Sequence, residues 1–194
     1  MAGRPKIYDE ALIIDKATNV FWEKCYDSAS ADELLDAMGI GKGSFYLAFK
    51  GGKQELYEKT LQRFSDTFYD KLASKVNNAE NGIDVIKQFF YAMAKAGNEE
   101  KNRGCYLGNA LVQLSEKDRN IRSLAANLLS RLQDLFTQAV KRAQANGQLK
   151  TKEDPALLGL HLSNLWNGIH VTRRMNNSPA ALKQLVDFNL QLIQ

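Results

Sequence analysis

Residues 30–49 read SADELLDAMGIGKGSFYLAF, and this stretch decides the fold. It opens on a capping box: the Ser30 hydroxyl and the Glu33 carboxylate are placed to satisfy each other's free backbone amides. A short helix then ends near Met38. Gly39 follows, a residue that takes the left-handed conformation a sharp turn requires. Gly39-Ile40-Gly41 makes the turn, and a second short helix runs from Lys42 to about Phe49. Leu34, Leu35 and Met38 face inward from the first helix, Ile40 plugs the turn, and Phe45 and Phe49 face inward from the second. Apolar side chains therefore sit where two crossed helices must pack, which is the layout of a helix-turn-helix. Lys42, Ser44, Tyr46 and Leu47 are left pointing elsewhere. Such a motif lays the N-terminal part of its second helix in the DNA major groove. Gly41 and Gly43 would let the backbone approach closely, and the amide ends of both helices can bind phosphate. On the turn alone, an ordinary pair of packed helices remains the other reading.

Outward from this stretch the apolar period is helical, with no clear period-2 strand. A basic arm over residues 1–8 precedes a helix from about Asp9 to Lys24, with Leu12, Ile13, Ala17, Val20 and Phe21 on one face. Beyond the motif the pattern predicts helices over about 53–76, 83–96, 102–114, 118–145, 155–175 and 179–193. Asp154-Pro155 and Ser178-Pro179 each read as an N-cap followed by proline at the first helical position. The expectation is an all-α chain of about nine helices. A three-helix head over residues 1–52 would join a larger body over residues 53–194.

Composition excludes several classes. The chain has 194 residues, long enough to bury a core without staples. Two His and two Cys rule out most metal scaffolds and any disulfide framework. His161 and His170 are nine apart on one predicted helix, on roughly opposite sides, so no shared metal site is expected, and no cofactor. No stretch reaches the length of a membrane-spanning helix, and the N-terminus does not read as a signal peptide, so the cytoplasm is the expected location. No metalloprotease, nucleophile-elbow or phosphate-loop motif is present, and an enzyme is not expected.

The net charge of +4 leans weakly toward nucleic acid. Its placement says more. Residues 1–60 hold eight basic and ten acidic residues, so the excess lies in the body. Yet residues 37–54 contain Lys42, Lys50 and Lys53 and no acid, and the arm contributes Arg4 and Lys6 before the first acid. The arm reads as a minor-groove arm or as an unstructured start.

Gly3-Arg4-Pro5-Lys6, then Ala17 with Phe21-Trp22-Glu23-Lys24, Tyr26, Ser30 with Glu33-Leu34, Gly39 through Tyr46 with Phe49, and Lys53 with Leu56 together resemble the TetR family of bacterial repressors. The resemblance covers roughly residues 3–60; Gly104 through Asn109 and Asn146-Gly147-Gln148-Leu149 look like ligand-domain sequences of the same family. It implies three N-terminal helices on a double-stranded, (pseudo)palindromic operator. The later helices would bind a small-molecule inducer and form a homodimer. Carried over by position, Ser30 would contact phosphate at the start of the second helix. Gly41, Lys42, Gly43 and Ser44 would lie at the groove, Tyr46 would reach a phosphate, and Lys53 would sit near the DNA backbone. Three departures stand out. Cys25 stands where the family usually has Gly, Gly41 stands where a capping side chain is common, and Gly51-Gly52 is looser than usual.

In the body, Phe89, Phe90, Met93, Cys105, Tyr106, Leu107, Trp166 and His170 are candidates for a pocket lining, or else core or dimer residues. Leu158, Leu162, Leu165 and Ile169 on one helix and Leu182, Leu185, Val186 and Leu190 on the next suggest a four-helix dimer interface. Cys105 lies near Arg103 and Lys101, cations that would lower a thiol pKa; it reads first as a small buried hydrophobe, and a thiol-based redox or electrophile sensor is the alternative function.

Overall fold

A computed structural model describes residues 8–95, 103–113, 118–175 and 178–194. Among these residues there are nine α-helices and no strand. They are α1 (Glu10–Ser28), α2 (Ala31–Met38), α3 (Lys42–Ala48), α4 (Gly52–Asn78), α5 (Gly82–Lys95), α6 (Tyr106–Gln113), α7 (Arg119–Ala145), α8 (Pro155–Thr172) and α9 (Pro179–Asn189). Short 3-10 turns at Arg173–Met175 and Leu190–Ile193 follow α8 and α9. The all-α expectation holds. So do the caps: Asp154 and Ser178 accept backbone N–H groups of α8 and α9, each with Pro at the helix start.

The head follows its local signals. Ser30 Oγ accepts from Glu33 N at 3.2 Å, and a Glu33 carboxylate oxygen accepts from Ser30 N at 3.1 Å. Gly39 closes α2 at φ 69°, and its N–H reaches back to Leu35 and Asp36. α1 is longer than the sequence suggests. It continues past Lys24 to Ser28, through a break at Cys25 with φ 68° and ψ 164°. Its inward face is Ile13, Ile14, Ala17, Thr18 and Phe21. Leu12, expected on that face, is exposed: it lies one residue outside the arc that meets α4.

Cys25 occupies backbone space that is essentially glycine's, at a cost of about 1–3 kcal/mol for a side chain. Among the described residues its sulfur accepts one contact, from Gln113 Nε2 at 3.1 Å. Cys25→Gly should therefore raise stability by about 1 kcal/mol, seen as a gain of a few degrees in a thermal melt. A lower melting temperature would mean that the Gln113 contact outweighs the strain.

α4 links head and body. Its N-terminal half packs on α1, with Tyr57 edge-on to Phe21 at 4.8 Å. Arg63 clamps it further, donating to both Asp15 carboxylate oxygens at 2.7 and 2.8 Å, and Lys59 reaches Glu10 at 3.2 Å. These pairs are half-exposed and contribute little individually. The C-terminal half buries Leu72, Ala73 and Val76 against α5 and α7. One continuous apolar cluster therefore runs from head to body.

The C-terminal helices correct an expectation. Leu158, Leu162, Leu165, Ile169, Leu182, Val186 and Leu190 are buried within the single chain, and Leu185 is half-buried. The most apolar stripe of α8 packs on α7 first, leaving those side chains little surface for a second copy. The exposed apolar stripe is its complement: Leu157, Leu160 and Val171 on α8, and Phe188 and Leu192 at the end of the chain.

Candidate DNA-binding head and body cavity

α3 is held by Phe45 and Phe49, which are buried and 5.4 Å apart between ring centroids. That anchoring turns the opposite face outward. Tyr46 is 53% exposed, Leu47 is 81% exposed, and Gly41, Lys42 and Gly43 are all exposed, with Ser44 half-buried. Gly41 caps α3 without a side-chain hydrogen bond. A Cβ built on Gly41 or Gly43 would meet nothing within 4 Å. The protein's own packing therefore does not require glycine at either position, while close approach of another backbone would. Lys50 is exposed beside this face. Arg4 and Lys6 lie outside the described residues.

Ser30 and Lys53 are less free than the resemblance implies. Ser30 Oγ donates to Glu33 at 3.0 Å as well as capping α2. The Glu33 carboxyl, bonded to Lys24 and then to the Ser30 amide and hydroxyl, is pulled down to about 2. A phosphate contact by the Ser30 hydroxyl would have to share it with that carboxylate. Lys53 is half-buried, with Nζ 4.8 Å above the Tyr26 ring, and desolvation lowers its pKa.

The body holds a cavity of about 560 Å³. Five of the eight expected lining residues face it: Phe89, Met93, Cys105, Trp166 and His170. Phe90 does not; it is turned the other way on α5 and packs on Phe136 at 5.8 Å. Tyr106 sits beneath, its hydroxyl 2.7 Å from Thr60 Oγ1 and its ring between Trp22 and Phe64. Leu107 is buried away from this cavity. The sequence reading missed Trp22, Phe64, Phe68, Arg103 and Arg173, which also line it. Phe64 and Phe68 are four apart on α4, as Trp166 and His170 are on α8, so two aromatic faces converge there.

Trp22 and Arg103 join this cavity to the head. Trp22 belongs to α1, and its Nε1 donates to the Arg103 carbonyl at 2.9 Å. The Arg103 guanidinium donates to Glu23 at 2.6 Å and Asn19 at 3.1 Å, both on α1, and lies 5.7 Å from the Trp22 ring. Trp22 thus makes the first helix of the head part of the cavity wall.

His170 is 8% exposed and edge-on to Trp166 at 4.2 Å, and among the described residues neither ring nitrogen has a hydrogen-bond partner. Desolvation, aided by the Arg173 charge, pushes its pKa down to about 3. The imidazole is thus neutral when folded but charges near 6.5 when unfolded. Its contribution is complete above about pH 6.5 and is lost as pH falls toward 3, roughly 3–5 kcal/mol in all. Wild type minus His170→Phe should show about 2–3 kcal/mol of this loss between pH 7 and 4.5, read from urea midpoints. A pH-independent difference would show that His170 titrates normally.

At Cys105 the structure fits the buried-hydrophobe reading and not the activated thiol. Burial raises its thiol pKa, and the Gly108 N–H to its sulfur at 3.3 Å only partly offsets this. The Arg103 side chain points to α1 instead, and Lys101 lies outside the described residues. The thiol is a buried neutral group, the poor state for electrophile chemistry.

Among the described residues no group of three His, Cys, Asp or Glu could hold a metal, and no helix is long and apolar enough to cross a membrane. Residues 13–60 match the family model for bacterial regulatory proteins of the tetR family. Residues 82–188 match that for the tetracyclin repressor-like C-terminal domain. The chain is 25% identical over 192 residues to the HTH-type transcriptional repressor ComR of Escherichia coli (strain K12), covering 98% of this chain and 91% of ComR. It is 23% identical to the HTH-type transcriptional repressor DhaR of Mycobacterium sp. (strain GP1), covering 90% and 86%. Its fold matches that of the TetR family regulator CifR complexed with 26-bp double-strand operator DNA, at TM-score 0.83, 22% identity and 97% and 98% coverage. With both the head and more than half of the chain matched by the family's models, this protein belongs to the TetR family and is a DNA-binding transcriptional regulator of helix-turn-helix type.

Proposed function

We propose that the chain is a ligand-responsive repressor that binds a (pseudo)palindromic operator as a homodimer, works in the cytoplasm and catalyses no reaction. Residues 1–52 form the DNA-binding domain and residues 53–194 the ligand-binding and dimerisation domain. One observation carries the DNA reading: the exposed face of α3 combines Lys42, Gly43 and Tyr46 with an acid-free neighbourhood and two glycines the fold does not need. Gly41, Lys42, Gly43 and Ser44 enter the groove. Tyr46 and Lys53, with Ser30 at the head of α2, take the flanking phosphates, and Arg4 and Lys6 of the arm take the minor groove.

The second copy docks on the exposed stripe of Leu157, Leu160, Val171 and Phe188. Gly168 lies on the same side of α8, and a Cβ there would meet nothing, so two such helices can approach closely. A small molecule in the body cavity favours the arrangement in which Trp22 and Arg103 carry α1 away from its DNA-bound pose. α4 moves with it, and the two recognition helices lose the half-site spacing.

The test is transcription from promoters whose DNA the protein enriches from sheared genomic fragments. Deleting the gene for this chain should raise their transcription, and restoring the wild-type gene should lower it. Unchanged or reduced transcription on deletion would refute repression.

A further inference from the structure

The outward face of α3 carries one group that neither charge nor close backbone approach accounts for. We propose that Leu47 reads sequence, its isobutyl side chain packing on the 5-methyl group of a thymine in the major groove of each half-site. This rests on the reading above that α3 lies in that groove.

Position singles Leu47 out. Scattered apolar side chains are ordinary on protein surfaces. Leu47 is 81% exposed, and among the described residues no large apolar side chain is more exposed. It lies two residues after Phe45, the buried anchor of α3, so helical geometry points it almost directly away from the core of the head. It also lies one turn after Gly43 and three residues after Ser44, which places it on the same outward arc. Gly41 and Gly43 bring backbone but no side chain to that arc, and Ser44 is half-buried. Leu47 is therefore the long side chain that follows the close approach, between exposed Lys42 and Lys50 in sequence.

Chemistry then limits what Leu47 can recognise. A leucine side chain neither donates nor accepts a hydrogen bond, so the nitrogen and oxygen atoms of the base edges give it nothing to read. The apolar group that the major groove displays is the thymine 5-methyl, which marks T among the four bases. Packing Leu47 on that methyl takes apolar surface of both partners out of water. The free chain gains little from this side chain, because it stays in water when the head is folded. Its loss should therefore show in DNA binding and not in stability.

The full-length protein is first used to select its site from random-sequence duplexes. Each thymine of the selected half-site is then replaced, symmetrically in both half-sites, by deoxyuridine, which lacks only the 5-methyl group. Gel shifts at one salt concentration compare wild type with Leu47→Ala. One thymine position should cost the wild type about fourfold per half-site and about fifteenfold for both, the worth of a buried methyl-sized group. At that position Leu47→Ala should lose less than about twofold, while the other positions affect both proteins alike. The melting temperature of Leu47→Ala should stay within about two degrees of wild type. The wild-type uracil scan stands whether or not that variant folds. A selected half-site without thymine, a scan with no methyl-dependent position, or a methyl penalty unchanged in Leu47→Ala would each overturn the assignment. Gly43→Glu separates the two readings. If it abolishes binding while no methyl couples to residue 47, the Leu47 assignment alone falls. If it binds as wild type does and no methyl couples, α3 does not lie in the groove and both fall.

Discussion

Gly43→Glu should weaken operator binding at least a hundredfold, while the melting temperature stays the same or rises slightly. Gly43 lies in the first turn of α3, exposed, and a Cβ there meets nothing within 4 Å. Replacing a helical glycine favours the helix by about 0.5–1 kcal/mol, and a carboxylate in a first turn complements the helix dipole. The folded chain therefore tolerates the change. The DNA does not. The variant puts bulk where the backbone must approach the groove, and negative charge into residues 37–54, which hold three lysines and no acid. Gel shifts at one fixed salt concentration read the loss. Unchanged affinity would mean that some other face of the head meets the groove.

Gly159→Ala should destabilise the chain by about 3 kcal/mol, a fall of roughly 5–12 °C in melting temperature. A Cβ at Gly159 would lie 2.0 Å from Thr137 Oγ1 and 3.0 Å from both the Thr137 Cβ and its backbone nitrogen. The Thr137 hydroxyl is itself tied to the Gln133 carbonyl at 3.0 Å, so it is not a free end that swings aside. α7 and α8 must separate, and α8 carries Trp166 and His170 into the cavity. Adding Thr137→Ala should recover part of the loss, because it removes the 2.0 Å contact but not the backbone one. A melt of Gly159→Ala within two degrees of wild type would contradict this account of the crossing.

The head was legible because its signals are local. Ser30 with Glu33, Gly39, and the buried set Leu34, Met38, Phe45 and Phe49 lie within 20 residues of one another, so propensity, capping and pattern agree. The strained Cys25 was foreseeable too, since the family's usual glycine marks the backbone conformation a side chain must tolerate there. The body was legible as helices but not as surfaces. Phe89 and Phe90 are adjacent and equally apolar; only the angle of α5 against α7 decides that one lines the cavity and the other packs on Phe136. The leucines of α8 and α9 show the same limit. Apolar period finds the stripe that must be buried, and whether its own chain or a second copy buries it depends on where α7 lies. Cys105 shows a third limit, since neighbours in sequence suggested an activated thiol while burial in space dictates the opposite. Trp22 and Arg103, the groups that tie cavity to head, are 81 residues from each other, and each lies more than 60 from the aromatic partners on α8. No local pattern joins such positions.

The most direct test of the central claim is a hydroxyl-radical footprint of the full-length protein on the DNA it enriches. The account predicts one protected inverted repeat, its half-sites about one helical turn or a multiple apart, saturating at an even number of chains. It also predicts that Gly43→Glu leaves the same DNA unprotected. Protection that spreads evenly over any DNA, or a protected site that survives in Gly43→Glu, would contradict it.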